Sequence, residues 1–570
     1  MTLLVKRTLV VALAIALSIS SLSTATAQSG KSGEPAGKSG EPGLKPVAVV
    51  SIVSIKEMLN DIGYVTRIAG MADQGDTARF FASAMTSGID KERPIGLYFV
   101  PKNGEFHTIA FVPMDKDGLN TILKLHKDQL GEAKDAGDGV LQVGRARTVF
   151  VKDQNGWAFV SENKQHLADL PQDPASLLGD LPKHYNVAAK LFVQNIPAEL
   201  RKTAIDEIKL GIERFLDSPA ARQQKIDRDQ AKQLTKVYTT QLEKLINEAD
   251  ELMIGLGINE QAKDVVLDVA FSAKGGTSLA RAMALQADAK TNFAGFVQPD
   301  AAMTMTLASK TSPEDIAQAS AALQLYRTQI AKAIDDSADV PPNKRDAIKA
   351  LLGPLFDVIG KTIATGRADG GAIVMLQPKS CSFAFGGAMA DGPSMEKILA
   401  QVGDLIKDLP NAPKLQLNTG TVGDMKLSRL TAPIPAQAGD MREVFGENLE
   451  ILIGISPKSF IVAGGKSAEE LLKSVLQKSS QESEKSVSPL DLTISLLPIL
   501  KFSKSIDSDN PVVSRMVSSL EQGGNDRVSI TNKGTTTSST TRIEIQEGVI
   551  RAGGEGFKAG QAARVNRGAR

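Results

Sequence analysis

Residues 149–164 read VFVKDQNGWAFVSENK, and residues 451–466 read ILIGISPKSFIVAGGK. Laid over one another without a gap, Val149-Phe150-Val151, Phe159-Val160 and Lys164 fall opposite Ile451-Leu452-Ile453, Ile461-Val462 and Lys466. Each stretch is an apolar run, a turn, a second apolar run and a polar exit, the pattern of a β-hairpin. Asn155-Gly156 supplies the first turn, since both residues tolerate the positive φ of a tight loop. Ser456-Pro457-Lys458 supplies the second.

Two more correspondences extend outward. Residues 47–53 followed by Ser54 match 301–307 followed by Ser312-Pro313-Glu314-Asp315, and both read as a strand and then a capped helix. Residues 95–102, Ala110-Phe111 and Asp117-Gly118 match 372–379, Ala384-Phe385 and Asp391-Gly392, with the same interval from Ala-Phe to Asp-Gly. Each aspartate is expected to cap the helix that follows it. A chain written twice sets the whole architecture. The expectation is an α+β protein of two related, internally duplicated domains, 47–290 and 291–555, each an antiparallel β-sheet with flanking helices.

The first copy carries a helical insertion. Ile205, Ile208, Ile212 and Phe215 recur at helical spacing, Asp217-Ser218-Pro219 breaks the run, and Leu234, Val237, Leu242, Leu245, Ala249 and Leu252 resume it. That reads as a long helical hairpin over 199–254. The second copy has a helical pair at 314–334 and 343–363, joined through Pro341-Pro342, and its end reads as a hairpin around 529–545. Residues 556–570 form a basic tail with Lys558, Arg564, Arg567 and Arg570.

The start of the chain gives an address. Lys6-Arg7, an apolar run at 8–19 and Ala25-Thr26-Ala27 make a signal peptide over 1–27, with cleavage expected before Gln28. The run is too short to span a bilayer, which needs ~20 apolar residues, so no transmembrane anchor is expected after cleavage. Residues 28–46 carry Gly-Lys-Ser-Gly-Glu-Pro twice and read as a flexible tether. The expected location is periplasmic or extracellular. A single cysteine, Cys381, allows no disulfide within the chain, so stability must come from burial in large domains.

Composition narrows the chemistry. The chain has 570 residues, 42% apolar and 23% charged, enough for two to four domains. Its net charge is +1, and removing Lys6 and Arg7 with the leader leaves 64 cations against 65 anions. A body so balanced has no nucleic-acid footprint. His107, His126, His166 and His184 lack metal-ligand spacing, and neither a metal nor a cofactor is expected.

Two local patterns remain. Ser161 and Lys164 have the Ser-x-x-Lys spacing of serine acyl enzymes, and Ser508-Asp509-Asn510 spells a second element, but Lys-Ser-Gly occurs upstream of both, at Lys31 and Lys38. A helix-capping role is expected for Ser161 instead. Gly464, Gly465 and Lys466 follow a strand and open a helix, the arrangement of an anion-binding turn, although Ser467 with Glu470 also spells a capping box. The functional expectation is an exported, non-enzymatic binding or structural protein of the cell envelope. It would present sheet-and-helix surfaces to an envelope macromolecule or an apolar small molecule. The alternative is a secreted hydrolase whose site is assembled from distant residues.

Overall fold

The computed structural model describes residues 45–568 apart from 103–104, 146, 219–238, 338–341 and 408–411. The leader, nearly all of the tether, and Leu234, Val237 and Pro341 lie outside the described residues. The rest is mixed helix and antiparallel sheet in two compact units, one of 45–203 with 249–271, the other of 204–248 with 272–568. No described helix is long and apolar enough to cross a membrane.

The first unit holds β1 (Ala48–Ile52), β2 (Ile95–Lys102), β3 (Glu105–Pro113), β4 (Lys134–Asp135) and β5 (Val140–Val143). It continues with β6 (Val149–Gln154), β7 (Trp157–Ser161), β8 (Val187–Phe192), β9 (Ala249–Asn259) and β10 (Asp264–Ala273). Across the sheet the order is β4-β5-β6-β7-β3-β2-β1-β8-β9-β10. Helices α1 (Ile55–Ile68) and α2 (Ala72–Met85) connect β1 to β2, and α3 (Gly118–Leu125) follows β3. Ser54 caps α1 as expected, its hydroxyl accepting from Glu57 N at 3.2 Å. Asn155 and Gly156 take φ of 53° and 74°, the positive pair a two-residue hairpin demands.

Alternation along these strands separates two layers. On one face Val49, Tyr98, Phe111, Trp157, Phe159 and Ala188 meet Leu178 and Leu181 from the segment after β7. On the other, Leu119, Ile122 and Leu123 of α3 lie on Val149, Val151 and Ala158. Phe111 is wholly buried because its partner in β2 is Gly96, where an added Cβ would stand 2.1 Å from the ring. The ring of Trp157 meets it edge-on with centroids 5.5 Å apart.

The second unit holds a two-stranded ribbon of β11 (Lys290–Thr291) with β19 (Lys485–Ser486) and a large sheet. The sheet comprises β12 (Met303–Lys310), β13 (Arg367–Gln377), β14 (Ser380–Ala388), β15 (Lys414–Val422), β16 (Met425–Pro433) and β17 (Asn448–Ile455). It is completed by β18 (Ser459–Gly465), β20 (Leu490–Ser495), β21 (Arg527–Gly534) and β22 (Ser538–Gln546). Its order is β15-β16-β17-β18-β14-β13-β12-β20-β21-β22. Counted along each unit's own large sheet, that is the order of the first unit. Here too a ring lies on a glycine. Gly371 pairs with Thr306 as Gly96 pairs with Ser51, and a Cβ on Gly371 would stand 2.6 Å from the buried ring of Phe296.

A polar knot fastens the ribbon to β13. The buried carboxylate of Asp369 accepts from Thr291 Oγ1 at 2.6 Å, Asn292 N at 3.0 Å and Arg367 Nη2 at 3.0 Å. Arg367 also reaches Glu484 at 3.0 Å, and that hydrogen bond holds the Glu484 carboxyl below its ordinary range. A buried charge with this many partners is compensated rather than stranded.

Several expectations differ from the structure. Helix α4 (Ala198–Leu216) forms, but the second helical stretch ends at 248 and Ala249 and Leu252 belong to β9. Leu252, Ile254, Leu256 and Ile258 alternate with a period of two, which outweighs the helical spacing behind them. Residues 204–248 also group with the second unit. The helical pair is present as α5 (Pro313–Asp336), capped by Ser312, and α6 (Pro342–Ala364). After the second hairpin the chain does not trail off as a tail but runs as a helix over Glu547–Gly568.

The paired aspartates part company. Asp391 accepts from Ser394 N at 3.0 Å and caps α7 (Gly392–Ile406). Asp117 sits at φ 58° with no side-chain cap on α3. Phe111 and Phe385 also face opposite ways, Phe111 fully buried and Phe385 44% exposed. A shift of one residue in register turns a side chain to the other face of a sheet.

Deleting either ring that lies on a glycine should empty a core. Phe111→Ala and Phe296→Ala should each cost about 3–5 kcal/mol, and Phe385→Ala about 1 kcal/mol or less, read by denaturant unfolding under far-UV circular dichroism. Asp391 gives a pH signature. Hydrogen bonds from Lys361 and Ser394 depress its carboxyl from 3.8 to about 2. The stability it contributes is therefore full above the unfolded value and lost as pH falls from 3.8 towards 2. Acid titration of Asp391→Asn should be flatter across that window.

Candidate functional site

The segment between β7 and β8 never forms a long helix. Asn163 caps a 3-10 turn at Lys164–Leu167, Asp173 caps another at Pro174–Leu178, and Leu181–His184 makes one helical turn. Leucines at 167, 178 and 181 point into the core, so short turns with apolar undersides lie on the sheet. Tyr185 ends the segment. Its ring lies on β9 where Gly255 stands, since a Cβ there would approach to 2.6 Å, and its hydroxyl donates to the buried Asp268 at 2.8 Å.

This layer leaves a cleft of about 390 Å³ between the turns and strands β1 and β8. Leu177 and Phe192 give it apolar walls, Lys190 and His184 a polar lip, and Val49, Leu178 and Leu181 lie beneath, almost wholly buried. The Lys190 ammonium meets Glu251 at 3.0 Å and lies 5.6 Å from the centre of the Phe192 ring. Asp180, also on the lip, is paired with Lys183 at 2.7 Å, and that contact holds its carboxyl below the ordinary range. The volume falls within the range of small-molecule sites, ~300 to 1,000 Å³, and the lining is as polar as it is apolar.

Ser161 is placed elsewhere. It is the last residue of β7 rather than a helix cap, 4% exposed, and its hydroxyl lies 2.9 Å from both Thr108 O and His166 Nδ1. A carbonyl can only accept, so the hydroxyl proton goes to Thr108 and His166 Nδ1 carries the hydrogen of the other bond. An imidazole protonated on that nitrogen cannot take the serine proton as a general base there. The His166 ring is stacked on His107 with centroids 3.8 Å apart. Lys164 turns to Ala136 O and Asp138, each at 2.7 Å. The sequence pattern therefore joins Ser161 to the wrong residue, and the neighbour that it has, His166, follows from the turn rather than from any motif.

The glycines at the start of the helix Ala468–Gln481 serve strand packing. A Cβ on Gly464 would stand 2.5 Å from the Phe383 ring, and one on Gly465, at φ 104°, would stand 2.1 Å from Cys381 O. Lys466 donates to Glu443 O at 2.9 Å and Lys379 O at 3.2 Å. Ser467 stands at the cap position without a side-chain cap bond, so the Ser467–Glu470 box does not close. Among the described residues no group of three or more His, Cys, Asp and Glu side chains is placed to hold a metal ion.

No protein-family model, curated protein or solved structure matches the chain. The residues themselves carry the functional argument. If the Ser161 hydroxyl is committed as described, a fluorophosphonate probe will leave the native protein unlabelled by intact-mass analysis. A single adduct that disappears in Ser161→Ala would show that the serine is a nucleophile after all.

Proposed function

We propose that this protein is an exported, non-catalytic binding protein of the cell envelope, built from two related copies of one sheet plan, in which the first copy holds a small apolar ligand. The cleft beside Leu177 and Phe192 carries this reading, because it sets apolar side chains next to the polar groups of Lys190 and His184. Burying an apolar surface of this kind under a ligand is favourable at roughly 25 cal/mol per Å². Export is supported by Lys6-Arg7, the apolar run at 8–19 and Ala25-Thr26-Ala27. Kinship of the copies is supported by their common strand order and by the ring on a glycine at the same register position in each. A binding role rather than a hydrolytic one is supported by the Ser161 hydroxyl bonding to a backbone carbonyl.

Trp157, the sole tryptophan, belongs to the side-chain cluster that forms the cleft floor and so reports on it. N-phenyl-1-naphthylamine, a neutral fluorescent probe, should bind saturably at one per chain and quench Trp157 emission. Ser176→Phe, which narrows the mouth, should weaken that binding about tenfold, a change of ~1.4 kcal/mol. Wild-type protein that takes up no probe saturably would overturn the reading.

A further inference from the structure

Resting on that reading of the cleft, we infer that His107 and His166 form a proton-operated catch: the stacked rings hold the turn layer on the first sheet, and charging both releases it and loosens the cleft. His107 stands on β3 and His166 on the turn Lys164–Leu167, so the stack joins strand to layer. The rings lie at 19° to one another with centroids 3.8 Å apart. One proton suits such a pair, since an imidazolium over a neutral ring is a cation on a π face. A second proton sets like charges at that same distance, which disfavours it.

The neighbours decide what the proton moves. His166 Nδ1 already carries the hydrogen of its bond to Ser161, so a proton arriving on that ring goes to Nε2 and leaves the bond intact. Repulsion between the rings is therefore what lifts the turn. Lys152 on β6, which donates to Leu167 O at 3.4 Å, brings a further cation beside His166. The other charges around the turn are paired, Lys102 with Asp169 at 2.6 Å, Lys164 with Asp138 at 2.7 Å and Arg147 with Glu162, and Glu105 stands two residues before His107 on β3. Movement of the turn reaches the cleft because one segment makes both. Leu167 is 1% exposed and packs in the same cluster as Leu178 and Leu181, and Leu177, His184 and Tyr185 further along the segment line the opening. Separated histidines take protons near ~6.5, so closure is complete above that value and weakens as pH falls below it.

Hydrogen exchange of the full-length protein, read by mass spectrometry and corrected for intrinsic rates, tests the catch. Protection of 162–186 should fall at least about tenfold from pH 7.5 to pH 5.0, as withholding one proton about 1.5 units below ~6.5 implies, while α3 keeps its protection. His107→Phe keeps a ring to stack but takes no proton, and should abolish the fall. His107→Gln serves if that variant does not fold, and His184→Gln, on the lip, should retain the fall. The affinity for N-phenyl-1-naphthylamine should drop over the same range in the wild type and not in His107→Phe. Protection that holds to pH 5.0, or that falls equally in both histidine 107 variants, would overturn the inference. So would protection lost with the affinity for the probe unchanged. Absence of probe uptake at pH 7.5 would instead remove the binding reading, and exchange alone then decides the catch.

Discussion

Both units rest on a missing side chain. In the second strand of each sheet a glycine, Gly96 or Gly371, lies beneath an aromatic ring, and a methyl group at either place would drive that ring out. The ring comes from different segments, Phe111 from the neighbouring strand and Phe296 from the turn before β12. Where the first sheet pairs Gly96 with Phe111, the second pairs Gly371 with Gly386. The constraint is therefore a volume to be filled at one point of the sheet, and close packing is met by whichever segment can reach it. Around Phe111 this brings Tyr98, Trp157 and Phe159 together at nearly complete burial. It also seals the Tyr98 hydroxyl away with no hydrogen-bond partner among the described residues, a cost of ~1–3 kcal/mol. Burial pushes that phenol well above its ordinary range, so it stays neutral.

The parts legible in the sequence are those governed by local chemistry. Asn155-Gly156 encodes its own turn, Ser54 and Ser312 cap their helices, and the paired apolar runs at 149–160 and 451–462 are hairpins. What stayed hidden depends on backbone that the side chain does not choose. Asp117 and Asp391 look alike, but the loop holds Asp117 in the left-handed region, where its carboxylate does not cap the helix. Ala249 and Leu252 continued a helical spacing by chance, and only the following alternation marked them as strand. Ser467 and Glu470 have the spacing of a capping box, yet the Ser467 amide donates to Ser382 Oγ at 3.1 Å instead. The cleft had no motif to betray it, since its residues come from β1, two turns and β8.

The cleft lies where the two sheets are completed differently. Between β18 and β20 the second unit inserts the helix Ala468–Gln481, whose Leu471, Leu472 and Val475 are buried among Ile373, Ala384 and Ile461. Between β7 and β8 the first unit has only turns, and Leu178 and Leu181 cover the sheet without filling it. The lysine at the lip follows the same division. Lys190 pairs with Val49, and at the matching register of the second sheet Thr493 pairs with Thr304, so no cation stands there. Of two sheets with the same strand order, one is packed shut by a helix and one is left open beside a charge. The opening in the first unit thus follows from the shortness of one connection, not from the strand order that both units share.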